Sequence, residues 1–196
     1  NNQPVISESF VGVHNGIIAN ADNLKALTSF KLDSELDTEV FFKLIDHYHS
    51  KIDFNSALKN AYNKISGAAS CAFIDSDRNL TLSTNNGSLY YVVIKKNNLL
   101  LFASEKYILS NILEKYFKKG QTKHAYSIYK VDAYSIVNIA KDNLAITKEY
   151  FSTVPPSNQA QSNYKSIHPA IFDKTQVDYP NYDLVKRCSK CILPET

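Results

Sequence analysis

The stretch VGVHNGIIAN, residues 11–20, sets the reading of the whole chain. Val11 and Val13 alternate with Gly12 and His14, the period of a half-buried strand. Asn15 and Gly16 follow, and Asn-Gly is the strongest two-residue turn signal because both residues tolerate positive φ. Locally the sequence predicts a strand, a sharp turn, and a short helix from Ala21 to Leu27. Taken alone, Asn15-Gly16 reads as a hairpin turn.

The residues beyond this stretch repeat a consistent pattern. In DTEVFFKLIDHYHS, from Asp37, residues Val40, Phe41, Leu44, Ile45 and Tyr48 recur at helical spacing, with Asp37 at the N-cap position. A second amphipathic helix starts from Asp53 as cap and carries Phe54, Ala57, Leu58, Ala61, Tyr62 and Ile65 on one face. Two such stripes need a flat apolar surface to cover. The segments SCAFIDS, NLTLST, LYYVVIK and NLLLFAS supply it as four short strands joined by DSDR, NNGS and KNN turns. Connections this tight demand antiparallel pairing. A third helix in SEKYILSNILEKYF follows, then strands near HAYSIYKV, SIVNIA and LAITKEYF. The expected fold is a layered α+β domain of antiparallel sheets.

Composition narrows the function classes. The chain has 196 residues and 44% hydrophobic content, enough for one well-buried domain and a tail. A net charge of +3 is too mild to imply a nucleic-acid partner. The densest basic stretch, with Lys118, Lys119 and Lys123 around Gly120, suits a solvated helix end. No apolar run is long enough to cross a bilayer and no signal-peptide pattern opens the chain, so no membrane partner is expected. The chain holds no Met and opens on NNQPV, as if cut from something longer. Its three cysteines, Cys71 in an apolar strand and Cys188 with Cys191 in a CxxC, do not form a secreted disulfide framework. A cytoplasmic location is expected.

Read together, VHNGIIAN and SELDTEVFFKLI resemble the glutaminase domain of class II glutamine amidotransferases, which are N-terminal-nucleophile hydrolases, and most of all the glucosamine-6-phosphate synthase branch. NNQPV, SGAASCAFIDS, NNGSLYYVV and LLFASEKYIL look like further segments of that family, in order, over about Asn1 to Tyr150. The resemblance implies an αββα sandwich. It also implies chemistry for the opening stretch: the Asn15 side-chain amide and the Gly16 backbone N–H would form an oxyanion hole for the glutamine carboxamide. One such donor contributes about 3 kcal/mol of transition-state stabilisation. Asp37 would bind the α-ammonium of glutamine, a charge-assisted bond worth roughly 1.5–3 kcal/mol; the alternative is that Asp37 only caps its helix. His14 reads as a packed or turn-bonded histidine, and Thr38 and Glu39 as helix start.

The family's nucleophile is an N-terminal Cys whose own α-amine acts as base. Residue 1 here is Asn, and Cys71 sits mid-strand, so the nucleophile and an Arg for the substrate carboxylate are expected before Asn1. From Ser152 the periodicity dissolves into Pro-, Ser-, Asn- and Gln-rich sequence. Residues 1–151 are thus expected to form the N-terminally incomplete glutaminase domain and 152–187 a linker or extended arm. Residues 188–196 would open a following synthase domain. The tail RCSKCILPET resembles amidotransferases that aminate N-acetylated sugars in surface-polysaccharide synthesis, where ATP serves the following domain. Cys188 and Cys191 stand at the spacing of half a zinc site, the alternative being a free CxxC in the tail; a structural site needs four ligands, with His124 or His168 the first internal candidates. The glutaminase step itself needs no cofactor. The expected function is glutamine hydrolysis to glutamate and ammonia for a downstream synthase domain or subunit, with a sugar acceptor. Two other readings stand beside it: an asparagine-synthetase-like enzyme, and a non-catalytic glutamine-binding scaffold module.

Overall fold

A computed structural model describes residues 3–28, 30–117 and 126–151. Its largest element is a six-stranded antiparallel sheet in the order β1-β2-β3-β4-β8-β9. The strands are β1 (Val5–Ile6), β2 (Phe10–Ile18), β3 (Gly67–Asp75), β4 (Leu80–Thr84), β8 (Ser135–Ile139) and β9 (Ile146–Tyr150). One face is covered by helices α1 (Ala21–Thr28), α2 (Asp37–His49) and α3 (Phe54–Tyr62), all expected from periodicity. The strand period of two decides which residues they cover. In β3, Cys71 and Phe73 face the helices while Ala72 faces the other way. Phe73 lies at the centre of an aromatic cluster, 5.0 Å from Phe10, 5.1 Å from Phe42 and 5.6 Å from Phe54 between ring centroids. Such tilted and edge-on pairs each add about 0.5–1.5 kcal/mol beyond simple burial. Gly12 makes room for this cluster, because a Cβ there would come within 2.7 Å of Phe42 and 2.8 Å of Phe73.

The second sheet, in the order β6-β5-β7, comprises β5 (Tyr90–Ile94), β6 (Leu99–Ala103) and β7 (Tyr129–Lys130). Tyr91 packs with Leu82 and Val137 of the large sheet, whereas Val92 and Ile94 point away onto Leu109 and Leu113 of α4 (Lys106–Phe117). The layers therefore run helices, sheet, sheet, helix, which is the expected αββα sandwich. Asp53 caps α3 as expected, accepting from the Ser56 N–H at 3.0 Å.

Three expectations are corrected. β2 runs unbroken through Asn15 and Gly16, paired with β3 from Phe10↔Asp75 to Ile18↔Gly67, so no hairpin turn forms there. Nine residues of strand pairing outweigh a local turn preference. The NNGS segment is not a hairpin either. β4 and β5 lie in different sheets, and the chain crosses between them. Asn86 Oδ1 accepts from the Ser88 N–H, and the Gly87 N–H donates to Thr84 Oγ1, steering the backbone off the first sheet. Finally, α2 is capped by Leu36 with no side-chain cap bond; Asp37 is its first helical residue. The basic stretch around Gly120, the expected arm at 152–187 and the tail at 188–196 lie outside the described residues.

Candidate active site

Within the strand, Gly16 but not Asn15 takes a positive φ. Gly16 has φ +151°, and a Cβ on it would come 1.9 Å from the Ala68 carbonyl oxygen, so only glycine fits. Asn15 and Gly16 are both exposed, and among the described residues nothing hydrogen-bonds the Asn15 side-chain amide. The strand pairing places Asn15 opposite Ser70, Ser70 opposite Thr84, and Thr84 opposite Ser135. These four aligned residues lie in one row across four strands, with the last three buried and Asn15 at the open end. The row carries hydroxyls where a strand core carries apolar groups. The Ser70 and Thr84 hydroxyls lie 2.8 Å apart, each within hydrogen-bond reach of Asn86 Oδ1, so their two protons are shared among these three oxygens.

Asp37 comes to the same end of the sheet. Its Oδ1 accepts from the Thr38 N–H at 2.7 Å and its Oδ2 from the Ile18 N–H at 2.9 Å. The carboxylate thus bonds the first turn of its own helix and reaches across to the strand as well. Ile18 lies two residues beyond Gly16, a spacing of about 7 Å along a strand. An anion at a helix N-terminus is stabilised by about 0.3–1 kcal/mol. The structure thus brings together the three residues singled out from sequence: a free amide, a glycine backbone and a carboxylate.

Several participants had no readable signal in the sequence. The Gln3 side-chain amide pairs with both backbone groups of His14: its Nε2 donates to the His14 carbonyl at 2.7 Å, and its Oε1 accepts from the His14 N–H. It acts as one more strand partner where β1 has already ended. His14 itself is buried, as expected, and burial lowers its basicity while the Asp37 charge pulls partly back, so the ring is neutral near pH 7. Thr38 is buried against it, with Oγ1 3.0 Å from His14 Nδ1. Glu39, also buried, holds the preceding loop through the N–H groups of Asp33 (2.6 Å) and Ser34 (2.7 Å) and the Ser34 hydroxyl. Burial alone would raise its carboxyl, but these three bonds together hold it below the ordinary carboxylate value.

Cys71 is in core packing as expected, 1% exposed, with burial pushing its thiol far above the ordinary range. It is no nucleophile. Among the described residues no cluster of three or more His, Cys, Asp or Glu side chains has the arrangement to hold a metal ion. Cys188, Cys191, His124 and His168 lie outside the described residues. No helix among the described residues is long and apolar enough to cross a membrane.

Comparison with known proteins meets this geometry from the other side. Two solved structures share the architecture. A glutamine phosphoribosylpyrophosphate amidotransferase from B. subtilis superposes with TM-score 0.60 at 18% identity, over 78% of this chain and 32% of that one. A glutamine aminotransferase class-II domain protein from Silicibacter pomeroyi gives TM-score 0.55 at 15% identity, over 76% of this chain and 71% of that one. At these identities the likeness is one of fold. In sequence, a glutamine–fructose-6-phosphate aminotransferase (isomerizing) of Oceanobacillus iheyensis is 32% identical over 102 residues, 50% of this chain and 17% of its own. The enzyme of that name from Streptococcus agalactiae is 33% identical over 99 residues, 48% of this chain and 15% of its own. The chain spans about a sixth of the length of these curated relatives. The glutamine amidotransferase domain family matches residues 1–111, which takes in β2, the Asn15-Gly16 pair and the start of α2. On that match over more than half its length, with the sandwich fold in agreement, the chain belongs to the glutamine amidotransferase domain family.

Proposed function

We propose that this domain binds glutamine and that the intact protein hydrolyses it to glutamate and ammonia, which aminates a sugar. The observation that carries the proposal is the placement of an unengaged Asn15 amide and the Gly16 backbone on the strand whose Ile18 N–H, two residues on, holds the Asp37 carboxylate. Attack on the carboxamide carbon moves negative charge onto its oxygen, and the Asn15 N–H and Gly16 N–H are the donors assigned to it. Asp37 takes the α-ammonium, so the side chain and the backbone of the substrate are held by groups about two strand residues apart. Asp37 has room for this: Oδ2 accepts one hydrogen bond here and a carboxylate oxygen accepts two. The sugar acceptor rests on the relatives named as glutamine–fructose-6-phosphate aminotransferases. A downstream synthase domain or subunit would receive the ammonia.

Titration of the intact protein with L-glutamine and with its analogue lacking the α-amino group tests the assignment. Glutamine is expected to bind and to release glutamate, and the analogue to bind at least about tenfold more weakly. Equal affinity for the two would remove Asp37 from the site. No response to glutamine would reject the function.

A further inference from the structure

Asp37 is oriented by more than its own helix. Thr38 is 2% exposed, and its hydroxyl donates to Asp37 Oδ1 at 3.3 Å while lying 3.0 Å from His14 Nδ1. The His14 ring, 7% exposed, extends from that contact under the neighbouring glycine. A Cβ on Gly16 would come 2.8 Å from His14 Nε2. Nε2 itself is buried beside the Ala68 backbone carbonyl, the same oxygen that crowds Gly16. The ring's own backbone is fixed on both sides, by β3 through Cys71 and by the Gln3 amide. One side chain therefore touches both halves of the site.

We infer that His14 is a positioning residue, a strut that fixes the Asp37 carboxylate relative to the Gly16 backbone by way of the Thr38 hydroxyl. The inference rests on the glutamine reading given above. A carboxylate at the start of a helix has two free torsions; the Ile18 N–H holds Oδ2 and the Thr38 N–H holds Oδ1. The Thr38 hydroxyl adds a second bond to Oδ1 and, through His14, ties that oxygen to the strand that carries the oxyanion donors. Errors of about 0.5 Å in such placements are enough to weaken a preorganised site.

Glutaminase kinetics of the intact protein separate this from ordinary core packing. Thr38→Val keeps the shape and deletes the hydroxyl; it is expected to raise KM for glutamine about tenfold with kcat within about threefold, because the ammonium contact is made equally in ground and transition states. Thr38→Ser, which retains the hydroxyl, should return KM to near the wild-type value. His14→Phe should raise KM by a similar factor, and the double variant by about tenfold in total, since the two act as one unit. A Thr38→Val protein with lowered Tm and unchanged KM would assign the pair to packing. A double variant near one-hundredfold would make the two contributions independent. Either result overturns the strut and leaves Asp37 and the glutamine reading standing. A wild-type protein that hydrolyses no glutamine overturns both.

Discussion

Asn15 is an exposed amide at the end of a buried polar row, a position that contributes little to folding. In the intact protein, Asn15→Ala should lower kcat for glutamine hydrolysis by about 10²–10³ with KM little changed. A raised KM with unaltered kcat would make it a ground-state contact. Asp37 differs because it also takes the Ile18 N–H. Asp37→Asn keeps an oxygen for that bond, so the domain should stay folded while glutamine affinity falls roughly tenfold or more. Calorimetric titration paired with thermal melting reads both; a lowered Tm at constant affinity would reduce Asp37 to a structural role. The placement of these two residues and Gly16 at one end of the sheet was legible in the sequence because each stands in a short motif. Gln3, His14 and Thr38 were not. Their roles arise from which strand ends first and which helix lies over it, and no local spacing records that.

Among the elements, helices were read more faithfully than connections. The periodicity of α2 and α3 reports a single apolar face, and each helix covers the sheet as that face requires. The Asn-Gly at the end of β2 and the Asn-Asn-Gly-Ser after β4 carry the same local preference, yet the first is strand and the second a crossover. Long-range pairing decides such cases, and a turn propensity is blind to it. The loop before α2 is set by Glu39, whose carboxyl is held below its ordinary value of 4.5. A carboxyl depressed in the folded state contributes stability above its unfolded pKa and loses it as pH falls through the folded one. Wild-type protein should therefore exceed Glu39→Gln in urea midpoint at neutral pH, with the gap closing below about pH 4. Burial pushes Asp46 the other way, but that effect is common to both proteins and cancels in the difference. A gap constant from pH 7 to pH 3 would refute the carboxylate's part.

At the scale of the molecule, the larger sheet and the helices over it enclose a buried interior. Tyr62 crosses it, its hydroxyl 2.9 Å from Ser83 Oγ and its ring stacked on Phe151 at 4.7 Å. Cys71 shares that interior. In a protein of these 196 residues alone, with Cys188 and Cys191 replaced by Ser, the folded state should show no thiol reactive to Ellman's reagent at pH 8 and the denatured state one. A thiol reacting quickly in the native protein would mean that the sheet opens beneath α3. The sandwich itself was legible as a class, from helix pairs alternating with short strands. Which strands fall in which sheet was not, because the order β1-β2-β3-β4-β8-β9 joins segments far apart in sequence.

The pairing of β2 with β3 carries a cost in time during synthesis. Ile18 meets Gly67 and Phe10 meets Asp75, with α1, α2 and α3 all enclosed between the partners. On a ribosome, β2 leaves the exit tunnel long before its neighbour does. At translation speeds of about 5–20 residues per second, the 48 residues between them take about 2–10 s to make. Through that interval a strand bearing Val11, Val13, Ile17 and Ile18 has only the two-residue β1 to pair with on one edge. Unpaired apolar edges of this kind are templates for the wrong partner. The residues proposed for the substrate groups, Asn15 and Gly16, are thus laid down early, on a strand that nascent-chain chaperones would have reason to shield until β3 arrives.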